Sequence, residues 1–151
     1  MATFDSTFTD TFTVPVAPAV ARDHFANPQT IIEHSNDVEE ATVDGDVIHF
    51  TMKAQEHMGI GTFQSIYRCL YATTDNSVTW EPVGEGNTRQ SGRAVFAAKG
   101  DGTEVTYSET LSVDMDVPKM MAPMLKPVIG AVLSHEMKEY TKRMRKTLEA
   151  L

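Results

Sequence analysis

Glu109 is the residue of this 151-residue chain whose placement most invites chemistry. It has the strand parity of Val105, Tyr107, Leu111 and Val113, so alternation sets its carboxyl on an apolar face. A carboxylate there is costly unless paired or protonated. If Arg93 or Arg68 meets it, or if it lies near a sheet edge, it is a structural group. If nothing meets it, desolvation raises its pKa, as in a general acid, which makes it the candidate catalytic residue. Tyr67 and Tyr71 share parity with Phe63, Ser65 and Cys69, against Ile60, Gln64, Ile66, Arg68 and Leu70 on the other face. Both faces are mixed, and we take the aromatic one as inward. Its hydroxyls could orient a polar ligand group, although plain packing would use the same residues.

Other chemistries are poorly supplied. His24, His34, His49, His57 and His135 show no metal-ligand spacing. His135-Glu136 begins like a zinc-protease helix, but Glu139 stands where the second histidine belongs. No metal and no cofactor is therefore expected. His34 and His57 flank a cavity mouth or simply lie on the surface. Ser91-Gly92 lacks the preceding glycine of a nucleophile elbow, and Cys69 has no nearby cation in sequence and reads as core. Gly59-Ile60-Gly61 and Gly84-Glu85-Gly86 do not continue into a phosphate-binding pattern. Asp114 and Asp116 read as solvated charges at a strand end.

The elements that would position these groups follow from periodicity. Phe4 to Val14 alternates as a strand and is ended by Pro15. Short helices follow over Ala19 to Phe25 and Gln29 to His34, separated by Asn27-Pro28. Six strands come next. Val43-Asp44-Gly45-Asp46-Val47 and Lys99-Gly100-Asp101-Gly102 are the strongest hairpin signals. Thr62 to Thr73 reads as one long strand, Ser77 to Val83 carries Trp80, and Thr88 to Ala98 precedes Thr103 to Met115. Pro123 and Pro127 make residues 119–127 a broken lead-in. The helix then runs on Ile129, Leu133, Met137, Tyr140, Met144, Leu148 and Leu151, with Glu139 and Arg143 paired across a turn. Hairpin-linked strands are antiparallel, and only the last helix is long and apolar enough to cover their buried face. The expected class is α+β: a seven-stranded curved antiparallel sheet wrapped around a long C-terminal helix, with two short helices between strands 1 and 2.

Composition narrows the partners. Residues 1–118 carry 6 Lys/Arg against 18 Asp/Glu, residues 119–151 carry 7 against 3, and the total is −8. The acidic body argues against nucleic acid. The basic Lys142, Arg143, Arg145 and Lys146 suit a helix C-terminus. No signal peptide is read at Met1-Ala2-Thr3-Phe4-Asp5, and the apolar stretch Val128 to Leu133 is too short to cross a bilayer. One cysteine allows no internal disulfide, which fits the cytoplasm. Length and the absence of a linker point to one domain over residues 1–151.

This order resembles the START-like (SRPBCC) superfamily, which includes Bet v 1-like plant proteins, polyketide cyclases/dehydrases and lipid-transfer domains. The resemblance is carried by Val14-Pro15-Val16, by Pro18 to Phe25 with Asn27-Pro28, and by Val43-Asp44-Gly45-Asp46. Gly100 to Tyr107 and the proline-rich entry to the last helix complete it. It implies a helix-grip fold with a cavity between the concave sheet and the helix. The strand residues expected to line it are Phe50, Met52, Phe63, Tyr67, Tyr71, Trp80, Phe96, Tyr107 and Glu109. From the lead-in and helix come Met121, Met124, Leu125, Ile129 and Leu133. Six of nine methionines fall in the last 37 residues, as suits either an adaptable pocket or ordinary core filling.

The leading expectation is a non-catalytic protein that binds a hydrophobic or amphipathic small molecule, polyketide-like or isoprenoid-like. The alternative is a metal-free cyclase or dehydratase that uses Glu109 for proton transfer. A third reading is an interaction module like the co-chaperone relatives of this fold. A homodimer remains open.

Overall fold

A computed structural model describes residues 1–56 and 61–151. The chain enters on β1 (Ala2–Val14), whose even-numbered Phe4, Phe12 and Val14 are buried while the intervening threonines are exposed. Pro15 ends the strand. Helix α1 (Pro18–Ala26) starts on a proline and buries Ala21 and Phe25. Asn27 then caps α2 (Pro28–His34), its side chain accepting the amides of Gln29 and Thr30 at 2.9 and 3.2 Å.

The strands that follow are β2 (Val38–Asp44), β3 (Val47–Met52), the two-residue β4 (Gln55–Glu56) and β5 (Thr62–Phe63), β6 (Ile66–Thr73), β7 (Ser77–Pro82), β8 (Thr88–Lys99) and β9 (Gly102–Met115). A 3-10 turn (Lys119–Met121) leads into α3 (Ala122–Glu149). Seven strands form one antiparallel sheet in the order β1-β9-β8-β7-β6-β3-β2, and β4 pairs with β5 as a separate ribbon. The expected architecture is observed: a helix-grip fold, with the long helix packed against the sheet and two short helices between β1 and β2. Both strong hairpins close with two-residue loops, Gly45-Asp46 and Gly100-Asp101. In each the glycine takes the positive φ, at 60° and 59°.

The expected single strand over Thr62–Thr73 is instead broken between Phe63 and Ile66. Side chains take the bonds a neighbouring strand would have made. Asn87 Nδ2 donates to the Gln64 carbonyl at 2.7 Å, and Asn87 Oδ1 accepts the Ile66 amide at 2.8 Å. The last helix also begins earlier than expected. Pro123 fits its first turn, and Pro127 is held inside it at the loss of one backbone hydrogen bond. Its buried face is Ile129, Leu133, Met137, Thr141, Met144 and Leu148. Leu151 lies past the helix end and is 72% exposed. Arg143 does not pair with Glu139; its Nε donates to the His34 carbonyl at 2.8 Å, and the pair across a turn is Arg145–Glu149. Asp114 is also paired, with Arg89 at 2.8 Å. No helix among the described residues is long and apolar enough to cross a membrane.

Candidate functional site

The concave face of the sheet, the two short helices and the middle of α3 enclose a cavity of about 220 Å³. Alternation builds its floor. Phe50 of β3, Tyr67 and Tyr71 of β6, Trp80 of β7, Gln90 of β8, and Tyr107, Glu109, Leu111 and Val113 of β9 all point inward. Leu125, Val128, Ile129, Leu133, Met137 and Tyr140 of α3 form the roof. Exposed lining residues mark the mouth: Asn36, Lys53 and Gln55 on the sheet side, Val132 and Glu136 on α3. Asp37 ties that rim together. Its carboxylate accepts from Gln55 and Asn36 at 2.7 and 3.1 Å, and its carbonyl accepts the Lys53 amide at 2.7 Å.

One row across the sheet places the polar centre. Tyr71 pairs with Trp80, Trp80 with Gly92, Gly92 with Glu109, and Glu109 with Phe8. The missing side chain at Gly92 lets the indole of β7 lie over β8; a Cβ there would fall 2.5 Å from Trp80 Cζ2. The indole thus reaches β9, where Trp80 Nε1 donates to Glu109 Oε2 at 2.9 Å. Trp80 also packs on Tyr107 and Tyr71, with ring centres 5.4 and 6.0 Å apart, and Phe50 stacks on Tyr67 at 4.8 Å.

Glu109 is 2% exposed, and burial pushes its carboxyl up to about 7 against the pull of the Trp80 N–H. Its other oxygen, Oε1, and the hydroxyl of Tyr107 are buried without a hydrogen-bond partner. No arginine meets Glu109. Arg68 and Arg93 have the opposite strand parity to the inward residues and are exposed, so the expected ion pair does not form. Glu109 is not at a sheet edge either, because β9 is flanked by β1 and β8. Burial likewise raises the hydroxyls of Tyr67, Tyr71, Tyr107 and Tyr140, and pushes the Cys69 thiol up to about 12.

Eleven of the expected lining residues border the cavity: Phe50, Met52, Phe63, Tyr67, Tyr71, Trp80, Tyr107, Glu109, Leu125, Ile129 and Leu133. Three do not. Phe96 is buried one step deeper, against Phe25 with ring centres 5.6 Å apart. Met124 is 71% exposed, and Met121 sits in the 3-10 turn outside the lining. Leu125, Val128 and Ile129 take the inward positions of that entry. Gln90, Gly92 and Tyr140 were not singled out as site residues. Gln90 and Gly92 share parity with Phe96, and Tyr140 lies in the apolar helical series, so the signals existed. His34 points away from the mouth: its Nε2 and that of His24 lie 2.8 and 2.9 Å from Thr147 Oγ1 on α3. His57 and the Gly59-Ile60 part of the expected bend lie outside the described residues. Among the described residues no cluster of His, Cys, Asp or Glu could hold a metal ion.

No family model and no curated protein matches the sequence. Solved structures do match. A protein from Thermus thermophilus aligns at 15% identity over 97% of each chain, with a TM-score of 0.69. A START superfamily protein from Mycobacterium smegmatis aligns at 14% identity, over 93% of this chain and 98% of its own, with a TM-score of 0.62. The di-domain aromatase/cyclase of the steffimycin biosynthetic pathway aligns at 15% identity and a TM-score of 0.61 over 97% of this chain, which spans 51% of that one. At such identities the likeness speaks for architecture alone, and the chain therefore shares the helix-grip fold of these structures.

Proposed function

We propose that residues 1–151 act as one START-like domain that binds a hydrophobic or amphipathic small molecule between the sheet and α3. The observation that carries this reading is the cavity, about 220 Å³ and lined mostly by aromatic and aliphatic side chains with a few convergent polar groups. Apolar ligand area leaving water provides the affinity, about 25 cal/mol per Å² before the cost of immobilisation. Trp80, Tyr67 and Phe50 offer flat faces to a ring system. A filled interior would have favoured the interaction-module reading, and the cavity gives that reading no support.

Native mass spectrometry of protein purified from its own host, followed by organic extraction, tests the proposal. A defined apolar molecule that leaves on extraction supports it. A bare chain that also fails to take up any apolar molecule added in excess would count against it.

A second reading, a cyclase or dehydratase, is favoured by one observation: a fully buried carboxyl pushed up to about 7 inside the cavity. Such a group can hold or release a proton near neutrality. Glu109→Gln separates the two readings, since a proton-transfer enzyme would lose turnover while keeping affinity.

A further inference from the structure

In the lining of the cavity, Tyr107 Oη and Glu109 Oε1 are both buried without a hydrogen-bond partner. Their residues are two apart on one face of β9, and the other oxygen of Glu109 is already taken by Trp80 Nε1–H. Buried polar atoms in native proteins almost always find partners. Two adjacent orphans facing a cavity therefore mark the place of a group that the protein itself does not supply.

The hydrogen-bond inventory says what that group is. A tyrosine hydroxyl and a protonated carboxyl each bring one O–H donor. The hydroxyls of Tyr67, Tyr71 and Tyr140 border the same cavity and have no hydrogen-bond partner among the described residues. Donors are thus in surplus, and the missing group is an acceptor. It is also uncharged. The cations of the lining are Lys53 at the mouth and Arg143, whose Nε is bonded to the His34 carbonyl. A ligand carboxylate beside Tyr107 and Glu109 would meet a second carboxyl group with no ion pair of its own. An ammonium would need acceptors for three N–H bonds and would leave the tyrosine donors unused.

We propose that Tyr107 and Glu109 form a two-donor cradle for one oxygen of the ligand, so that the apolar molecule binds with a carbonyl or phenol oxygen held between them. This rests on the cavity being a ligand site. A carbonyl oxygen has two lone pairs, one for each O–H. A neutral carboxylic acid beside a tyrosine is a known way to hold an oxygen on which negative charge grows. The burial that pushes Glu109 up to about 7 helps to keep its proton in place. Tyr67, Cys69 and Tyr71 on β6 and Tyr140 on α3 are the titratable groups that act on Glu109 from the packed elements, while Glu136 acts on Tyr67 and Arg143 on Tyr140.

A matched series tests it: naphthalene, methyl naphthyl ketone and naphthylmethylammonium, each titrated into the full chain. Naphthalene should bind, and the ketone should bind roughly ten-fold more tightly. The carbonyl stretch of the bound ketone should move to lower wavenumber. Tyr107→Phe and Glu109→Leu should each remove most of the ketone's advantage and of the stretch shift, while naphthalene affinity holds. Thermal unfolding identifies a variant that no longer folds; if Glu109→Leu does not, Tyr107→Phe and the infrared readout decide alone. Equal affinities for naphthalene and ketone would overturn the cradle and leave the cavity reading standing. So would tighter binding of the ammonium, or a ketone advantage that survives the substitutions. No binding by any of the three compounds would overturn the cavity reading and the cradle with it.

Discussion

Replacing Glu109 by glutamine should make the protein more stable than its parent at neutral pH, and no more stable at about pH 4.5. The carboxyl rises from 4.5 to about 7 on folding. Between those values the folded chain holds a proton that the unfolded chain has released. Raising the pH through the window therefore favours unfolding. Below it both states are protonated, and above about 7 both are ionised, so the loss levels off. At 1.36 kcal/mol per unit, the full span amounts to about 3 kcal/mol. Glutamine keeps the size and neutrality of the protonated acid and can still accept from Trp80 Nε1. The assay is urea unfolding of both proteins at a series of pH values from about 4.5 to above 7. Other titrating groups are common to both chains and cancel in the difference. The variant should gain stability relative to wild type as pH rises, by up to about 3 kcal/mol. A difference that stays flat with pH, or changes in the opposite direction, would refute the placement of a buried carboxyl without a cationic partner.

Gly92→Ala should cost about 1–3 kcal/mol, because the new Cβ would lie 2.5 Å from both Ser108 O and Trp80 Cζ2. Displacing the indole should also shift Trp80 fluorescence to the red, and an unchanged emission and urea midpoint would contradict the crossing. Cys69, buried with its thiol pushed up to about 12, should resist alkylation at neutral pH in the folded protein and react once urea unfolds it; equal rates in both states would contradict its burial. Asn87→Ala removes the partners of the Gln64 carbonyl and the Ile66 amide and should cost about 1–3 kcal/mol. Hydrogen exchange at the Ile66 amide should quicken in that variant before exchange elsewhere does.

The elements that alternate cleanly were legible. Phe4, Phe12 and Val14 on β1, and Val105, Tyr107 and Val113 on β9, face inward as their parity requires. Glu109 stood out for the same reason: a charged residue keeping step with buried ones. What sequence could not supply was the partner. The arginines at 68 and 93 were candidate partners, but both have the outward parity. The actual partner, Trp80, reaches Glu109 only because strand pairing brings Gly92 between them. A glycine in mid-strand signals a close approach without naming what approaches. The break after Phe63 was hidden for a related reason. It depends on the side chain of Asn87, more than twenty residues away, replacing a strand as backbone partner. At the start of α3, the methionine-rich lead-in looked like cavity lining. One helical step decides it, putting Leu125 inside and Met124 outside.

The most direct test of the central claim is to fill the cavity and ask whether binding is lost. Leu133 borders it from α3, and Leu133→Trp would place an indole in the space. The measurement is a titration of the neutral fluorescent probe N-phenyl-naphthylamine into wild type and variant, with thermal unfolding of each as a control for folding. The account predicts saturable binding to wild type and its loss in a variant that still unfolds cooperatively. Equal affinity in the two folded proteins would place the binding site elsewhere and contradict the account.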